Sequence, residues 1–342
     1  MNGDGTGQGG ARGGASPEAV FEALPGVGVP VGGIAQSLAR LWEGEAGESG
    51  RAPSDFRASQ MNLVLHLGLP TTPEDGLAQF QAAVRFTRRH PARIVVLCPR
   101  AEGGRDLAMR AKIHSECFIG DSRGEMSCIE AVMLSYPQES RAFLEDQVSV
   151  IVEADLPVNY WIHRMSQVRS IAGYRWLLGH ARRCVLDTAV CVPEAAGFPW
   201  PRPDGFRNLA YSRLLPVRQS LGQYLSGIAP GEIVRGLASV TVRHGPGFGA
   251  EAGVLLAWTC DRLKACGMAA GPAFSLAPAA AGEPASLGFD LAYADGRRFS
   301  WRANFARGCA RFESTLSGPG QVLPVAAGLL PPEAALSDAI FS

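Results

Sequence analysis

The sequence predicts an α/β fold in which a Rossmann-like mixed sheet with helices is followed by a smaller α+β domain with a mainly antiparallel sheet. The first observation is an apolar strand at residues 61–67, a helix start at Thr72 and Pro73, and a second apolar strand at 94–98. A strand, a helix and a second strand joined by short connections form a right-handed crossover, so the two strands are expected to pair in parallel. The second observation is Asp295-Gly296 between two strand-like runs, which is a strong hairpin signal. The third is the length of 342 residues, enough for about two domains.

The first helix of the α/β domain has clear start and stop signals. Thr72 can cap it, Pro73 fits its first position, and Glu74 and Asp75 suit the positive end of its dipole. The helix must end before Pro91. The other elements predicted for this domain are strands at 112–119 and 126–135 around a turn at 120–124, a helix near 138–152, a strand at 158–163, a helix near 168–178 and a strand at 184–186.

The second domain combines one long helix with several strands. A strand is predicted at 237–242 and a helix at 250–263, where apolar residues recur at helical spacing. After a loose Ala/Gly/Pro-rich stretch at 267–285, strands follow at 287–293, 298–305 and 310–315. The predicted organisation is a disordered Gly-rich segment with a leading helix at 34–42 and a linker (1–56), the α/β domain (57–192), a connecting segment with a basic and aromatic helix (193–235), the α+β domain (236–318) and a tail (319–342).

Composition excludes several functional classes. The 32 basic and 32 acidic residues cancel, so no overall field attracts nucleic acid or an anionic membrane, and we expect neither as a partner. Residues 1–16 lack the apolar segment of a signal peptide, so a cytoplasmic location is expected.

The cysteines do not suggest a metal site. The eight cysteines form no C-x-x-C pair and no histidine pair has zinc-finger spacing. Cys117 and Cys128 flank a short turn and could face each other across a hairpin, which would permit a redox bridge. We favour two small core thiols for this pair, and a redox-active disulfide is the alternative.

Two glycine-rich motifs are candidates for a catalytic or cofactor site. Residues 120–124 match the G-x-S-x-G pattern of serine hydrolases around Ser122, but the residues that follow resemble a strand instead of the required helix. Residues 245–250 match the G-x-G-x-x-A of dinucleotide-binding loops. The proline in that loop and the lack of a suitably placed acidic residue favour a flexible connector, although an anion site with Arg243 and His244 stays open.

Two basic segments are candidates for contact with a partner. His90 lies in a basic corner at a helix end, where simple capping and binding of an acidic surface or phosphate are both open. Residues 209–218 alternate arginines with apolar and aromatic residues. This pattern suits a solvated basic stripe, but Tyr211, Arg213 and Arg218 are also residue types that dominate protein interfaces.

Seven short segments, taken together, point to a family. They are residues 57–63, 89–93, 127–130, 155–158 with Trp161, 186–188, 209–218, and 255–258 with 262–263. Their order and spacing resemble the glucose-6-phosphate dehydrogenase assembly proteins (the OpcA family) over roughly residues 57–315.

The resemblance implies a non-catalytic protein without a cofactor. Such a protein would bind glucose-6-phosphate dehydrogenase and promote its assembled, active form, which feeds the oxidative pentose phosphate pathway and the supply of NADPH. The candidate partner-binding residues are Arg57, His90, Arg93, Glu130, Asp155, Pro157, Tyr160, Trp161, Tyr211, Arg213 and Arg218. The alternatives are a nucleotide- or sugar-phosphate-binding enzyme that uses the 245–250 loop, and a serine hydrolase at Ser122.

Overall fold

The computed structural model describes residues 17–43, 59–101, 108–119, 126–269, 271–279, 286–316, 318 and 320–342. The chain divides into two compact units, Met1–His180 and Ala181–Ser342. The boundary between them therefore lies at 180/181, whereas the sequence analysis places the end of the first domain at 192. The predicted fold class is confirmed, since both units combine helices with a sheet.

The first unit contains six strands and six α-helices among its described residues. In chain order they are α1 (Pro17–Ala23), β1 (Val27–Val29), α2 (Ile34–Glu43), β2 (Met61–Leu67), α3 (Pro73–Thr87), β3 (Ala92–Arg100), β4 (Arg110–Ile119), β5 (Met126–Pro137), α4 (Arg141–Ile151), β6 (Val158–His163), α5 (Val168–Ala172) and α6 (Arg175–His180).

The sheet of the first unit is mixed, as predicted. Its strands follow the order β1-β4-β5-β3-β2-β6. β5, β3, β2 and β6 run parallel to one another, while β4 pairs with β1 and with β5 in the antiparallel sense. Every residue of β2 and β3 is buried, which is typical of parallel strands covered on both faces. The amino ends of β2, β3, β5 and β6 therefore meet at one edge of the sheet, and their carboxyl ends meet at the other.

Local signals account for α3. The Thr72 Oγ1 accepts a hydrogen bond from the Asp75 amide at 3.3 Å, and Pro73 opens the helix as predicted. The predicted helix near 168–178 is instead two short helices. α5 ends at Gly173, and the next residue, Tyr174, is buried against the sheet, where its hydroxyl lies 2.7 Å from that of Tyr136.

The sequence analysis missed α1 and β1, because tertiary contacts hold these short elements. The Lys112 Nζ donates to the carbonyl oxygens of Phe21 (2.9 Å), Glu22 (3.2 Å) and Leu24 (3.2 Å) at the end of α1. A cation suits this position because helix carbonyls there lack partners within the helix. β1 pairs with β4 over three residues.

The preferred interpretation of Cys117 and Cys128 is wrong. The two residues face each other across the β4–β5 hairpin, as predicted, but they form a disulfide. Cys128 is buried whereas Cys117 is exposed.

The second unit contains eight strands and five α-helices among its described residues. In chain order they are β7 (Ala181–Leu186), β8 (Phe206–Asn208), α7 (Leu209–Arg213), α8 (Leu215–Leu225), α9 (Pro230–Val234), β9 (Leu237–His244), α10 (Gly249–Ala265), β10 (Ala273–Pro278), β11 (Leu287–Tyr293), β12 (Arg298–Asn304), β13 (Cys309–Ser314), β14 (Gln321–Ala326) and α11 (Pro332–Phe341).

Six strands of this unit form a mainly antiparallel sheet in the order β10-β9-β11-β12-β13-β14. Only β10 and β9 are parallel. Its core combines Phe289, Phe299, Trp301 and Phe312 from the strands with Leu255 from α10. The loose stretch predicted at 267–285 contains β10, and the predicted tail contains β14 and α11, so these predictions are wrong at those positions. β10 and β14 are largely exposed strands held by backbone pairing, which leaves little hydrophobic pattern to detect.

Candidate functional site

Five of the predicted partner-binding residues lie together at the amino edge of the parallel strands. We define the amino-edge surface as the α3–β3 loop (88–91), the α4–β6 loop (152–157) and Val150 at the end of α4. His90, Asp155 and Pro157 belong to these loops. Arg93 and Glu130 lie directly beneath them and face each other across β3 and β5.

Arg93 connects the elements that build this surface. Its Nη2 lies 2.8 Å from the Glu130 Oε2 and 2.9 Å from the Glu153 Oε1. Its Nη1 donates to the Ile151 carbonyl oxygen at 2.7 Å, at the carboxyl end of α4, where the helix dipole favours a cation. Because the Arg93 side chain is only 11% exposed, its main effect is to fix the α4–β6 loop against the sheet.

A second anchor fixes the same loop. The Asn62 side chain of β2 donates to the carbonyl oxygens of Glu153 (2.9 Å) and Leu156 (3.2 Å) and accepts from the Glu153 amide at 2.9 Å. The backbone amide of Asn62 also donates to the Pro157 carbonyl oxygen at 2.8 Å. Asp155 stands exposed at the tip of this anchored loop and forms no ion pair with any described residue. A rigid loop with an exposed charge loses little conformational entropy on binding, which favours recognition.

The α3–β3 loop adds basic groups to the surface. Arg88 and Arg89 are exposed, and the Arg88 guanidinium stacks 4.2 Å from the centre of the Phe118 ring. Burial, and then the neighbouring Arg89, lower the pKa of His90, so the imidazole is favoured in its neutral form. His90 packs against Phe86 with ring centres 5.0 Å apart.

The apolar part of this surface was not predicted from the sequence. α4 buries Leu144, Val148 and Ile151, yet Val150 is 74% exposed and Phe143 is 69% exposed on the same helix. Val150 borders a groove between α2 and α4, next to Arg93. The signal was present in the sequence, because α4 carries more apolar residues than one buried face requires.

Tyr160 and Trp161 are 0% and 1% exposed, so they cannot touch a partner, and the prediction of direct contact is wrong. Tyr160 instead joins a buried network. Its hydroxyl lies 2.6 Å from the His66 Nδ1, and the His66 Nε2 lies 3.2 Å from the hydroxyl of Tyr136. Burial lowers the pKa of His66 to about 3, so the ring is neutral and one nitrogen donates while the other accepts.

In the second unit, Arg213 forms a buried ion-pair cluster. Its guanidinium binds both carboxylate oxygens of Asp187 at 2.6 and 2.9 Å, and its Nη2 lies 2.7 Å from the Glu251 Oε1. Burial acts to lower the pKa of Arg213, but the bonds and charges of Asp187 and Glu251 outweigh this effect and raise it. Arg213 therefore joins the loop after β7, α7 and the first turn of α10, and its guanidinium is already occupied.

Tyr211 and Arg218 form a separate, more accessible pair. Tyr211 is 39% exposed, and the Arg218 guanidinium lies 3.7 Å from the centre of its ring. A partner role for this pair stays a prediction.

Two sequence-predicted features lie outside the described residues. They are Arg57 and the G-x-S-x-G segment with Ser122. Within the described parts of the chain, no three His, Cys, Asp or Glu residues are grouped so as to hold a metal ion. Among the described helices, none has the length and apolar character needed to cross a membrane.

The loop at 245–250 joins β9 to α10, and β10 then runs parallel to β9. A strand–helix–strand unit is thus present, contrary to the expectation that a loose stretch follows the helix. The first turn of α10 already holds the carboxylate of Glu251, which disfavours a phosphate there. The Arg243 Nε donates to Asp290 at 3.1 Å, and the His244 Nδ1 lies 3.2 Å from the Gly245 carbonyl oxygen.

Comparison with known proteins supports the resemblance seen in the sequence. Residues 83–196, about a third of the chain, match the family model described as the glucose-6-phosphate dehydrogenase subunit N-terminal domain (OpcA). This range contains both loops of the amino-edge surface and Val150. The comparison with curated proteins found no match.

Proposed function

We propose that this chain, whose residues 83–196 match the model of the glucose-6-phosphate dehydrogenase assembly (OpcA) family, is a non-catalytic assembly factor of that dehydrogenase in the cytoplasm. It binds the dehydrogenase, favours its active oligomer and thereby supports NADPH supply in the oxidative pentose phosphate pathway. The family match is the observation that carries this proposal.

The amino-edge surface is the proposed contact with the dehydrogenase. It lies within the family-matched range and offers exposed charges on Arg88, Arg89 and Asp155 around the apolar side chain of Val150. An apolar centre with a polar rim is the usual anatomy of a protein interface. Arg93 and Asn62 support the surface from beneath and hold it in one conformation.

An assembly factor acts by binding one state of its partner more tightly than the other. It can shift the equilibrium only by its differential affinity for the two states. A tenfold shift toward the active oligomer requires about 1.4 kcal/mol, which one or two well-placed contacts can supply.

The test measures the activity and oligomeric state of the purified dehydrogenase as the assembly protein is titrated in. We expect Asp155→Lys and Val150→Asp to raise the concentration needed for half-maximal activation by about tenfold or more. Matched controls are Arg175→Glu on α6 and Val322→Asp on β14, which are exposed residues outside the amino-edge surface and should leave activation unchanged.

Two results would reject the proposal at different levels. If the wild-type chain neither binds the dehydrogenase nor changes its activity, the assembly function is wrong. If the wild type activates but the two amino-edge variants and the two controls behave alike, the partner binds elsewhere, and the Tyr211–Arg218 pair becomes the next surface to test.

A further inference from the structure

A polar pocket lies at the opposite edge of the first unit's sheet, at the carboxyl ends of its parallel strands. Its volume is about 530 Å³, within the range of about 300–1,000 Å³ that is typical of small-molecule sites. Its walls come from the loops that follow β2, β5 and β6, and from α4 and α5. In open α/β sheets, this is the edge at which ligands bind.

As far as the described residues show, the wall of this pocket is made of hydrogen-bond donors and carries no carboxylate. Apart from Leu69, every lining residue is polar. The polar residues are Gln138, Arg141, Ser166, Gln167, Arg169 and Ser170. Two guanidinium groups with serine hydroxyls and side-chain amides select an anion.

Both arginines have donors available. Neither Arg141 nor Arg169 forms an ion pair with a described residue. The Arg169 Nε donates to the Gln167 Oε1 at 2.6 Å, which orients the group and leaves its two amino groups available. The Arg141 guanidinium lies against Gly173, where a Cβ atom would come within 2.9 Å of its Nη1. Glycine at 173 therefore makes room for this cation.

Among the described residues, Glu139 stands between Gln138 and Arg141 but is exposed and does not line the pocket. Two other nearby carboxylates are already engaged. The Glu145 Oε1, one turn along α4 from Arg141, accepts from the Trp176 amide at 2.7 Å. Asp75 bonds to His163 at 2.8 Å and to Arg164. The charge of the pocket wall is therefore positive.

The loops around the pocket are tightly fixed. A Cβ atom at Gly68 would lie 2.0 Å from the Arg164 carbonyl oxygen, so the loops after β2 and β6 touch at a position that only glycine allows. Arg164 has a left-handed backbone with φ 51°, which is unfavourable for a residue with a side chain. The ion pair with Asp75 helps to hold it there. Strain of this kind is typical of positions near ligand sites.

The amino end of α4 adds to the same preference for an anion. This helix has eleven residues, its cap residue Ser140 makes no side-chain capping bond, and its first turn holds no acidic residue. A 3₁₀ turn at Gln138–Ser140 leads into the helix, and the dipole of such a helix end attracts a negative charge. Gln138 and Arg141 bring this helix end to the pocket wall.

We infer that this pocket binds a sugar phosphate, with the phosphate between Arg141 and Arg169 and the sugar hydroxyls toward Gln138 and Gln167. A phosphate monoester is close to a dianion at neutral pH and matches two guanidinium groups better than a carboxylate does. The pocket exceeds the size of a bare anion, and none of the described residues that line it is an aromatic on which a nucleotide base could stack. The inference does not depend on the proposed function.

The test is calorimetric titration of the full chain, without the dehydrogenase, at constant ionic strength. The probes are glucose 6-phosphate, inorganic phosphate and AMP. We expect glucose 6-phosphate to bind more tightly than the other two. No binding at millimolar concentration, or binding no tighter than that of inorganic phosphate, would overturn the inference without affecting the assembly function.

Variants locate the site. Arg141→Gln and Arg169→Gln should each weaken the binding of glucose 6-phosphate by about tenfold or more, because each removes charge-assisted hydrogen bonds to the phosphate. The matched control is Arg40→Gln on α2, an exposed arginine outside the pocket, which should leave binding unchanged. If all three variants weaken the binding of glucose 6-phosphate equally, the loss follows from net charge alone and the proposed site is wrong.

The variant Gly173→Ala tests the position of the Arg141 guanidinium without changing the charge of the pocket. Its Cβ atom must displace the Arg141 guanidinium, while every charge of the pocket is retained. We expect weaker binding of glucose 6-phosphate with unchanged circular dichroism, whereas unaltered binding would show that Arg141 does not hold the phosphate. The ranking of the three probes by the wild type remains decisive if a variant fails to fold.

Discussion

At the scale of single residues, His66 shows how burial sets a protonation state. The ring is fully buried on β2 and lies within hydrogen-bond distance of the hydroxyls of Tyr160 and Tyr136. Burial raises the pKa of Tyr136 and raises that of Tyr174 to about 12, so the hydroxyls also stay protonated. The network is thus neutral at physiological pH, with a neutral His66 at its centre.

This neutrality predicts a loss of stability in acid. The pKa of His66 is about 3 in the folded protein but about 6.5 in the unfolded chain. The unfolded state therefore takes up a proton below pH 6.5, while the folded state does not until about pH 3. We expect the contribution of His66 to the free energy of unfolding to be complete above about pH 6.5. Below that pH it should fall by up to about 1.4 kcal/mol per pH unit.

The measurement is urea unfolding between about pH 7.5 and pH 5, where histidines titrate. His66→Gln should be less stable than the wild type at the upper pH because the network loses the ring, but its stability should fall less steeply on acidification. His180→Gln is the control, since His180 is exposed and stacks on Trp176. Equal slopes for the wild type and His66→Gln would contradict a neutral buried ring.

Residue types alone did not separate contacts inside the protein from contacts with a partner. Arg93, Arg213 and Arg218 look alike in the sequence, yet the first two are enclosed by carboxylates and the third stacks on Tyr211. The partners Glu130 and Glu251 are 37 and 38 residues away along the chain. Only the fold brings such groups together. The residue types at the amino-edge surface were therefore predictable from the sequence, but the exposure of their side chains to solvent was not.

At the scale of elements, the β4–β5 hairpin combines a confirmed geometry with an unexpected bond. Its register places Cys117 opposite Cys128, and the disulfide closes a loop with a sequence separation of 11 residues. Cross-linking a loop of this size stabilises a protein by about 2–3 kcal/mol, mainly by restricting the unfolded chain. Because Cys117 is exposed, a reductant can reach the bridge.

We therefore expect reduction to lower the free energy of unfolding by about 2–3 kcal/mol. The measurement is chemical unfolding with and without a strong thiol reductant. The double variant Cys117→Ser with Cys128→Ser is the control and should match the reduced wild type under both conditions. A wild type that is insensitive to the reductant would mean that the bridge does not form in solution or does not stabilise the hairpin.

Elements with a strong local pattern were predictable from the sequence. β2, α3, β6 and β11 follow from apolar runs and capping residues, and their observed bounds agree closely with the predicted ones. β10 and β14 were missed because an Ala/Gly/Pro-rich or exposed strand derives its order from backbone pairing with a neighbour. The helix near 168–178 divides because Tyr174 reaches a buried partner, which no local pattern records.

At the scale of the whole molecule, the balance of charge is the dominant property. The 32 basic and 32 acidic residues leave no net charge at pH 7. Many of these charges are also paired locally, as in the clusters around Arg93 and Arg213. Long-range attraction depends on net charge, whereas close contacts depend on the arrangement of individual groups. Under the proposed function, recognition of the dehydrogenase therefore depends on close contacts at the amino-edge surface.

The balanced charge of the chain predicts a weak salt dependence of its association with the dehydrogenase. Raising the ionic strength from about 0.05 M to about 0.5 M shortens the Debye length well below 10 Å and removes electrostatic steering. A neutral protein gains little from steering, so the association rate constant with the dehydrogenase should change by less than about threefold, against the tenfold or more of strongly steered pairs. Stopped-flow or surface-based kinetics measure it directly. Val150→Asp should instead change mainly the dissociation rate, because Val150 is the apolar centre of the proposed contact. A steep fall of the wild-type association rate with salt would mean that a local charged patch dominates the encounter and that net charge is a poor guide to it.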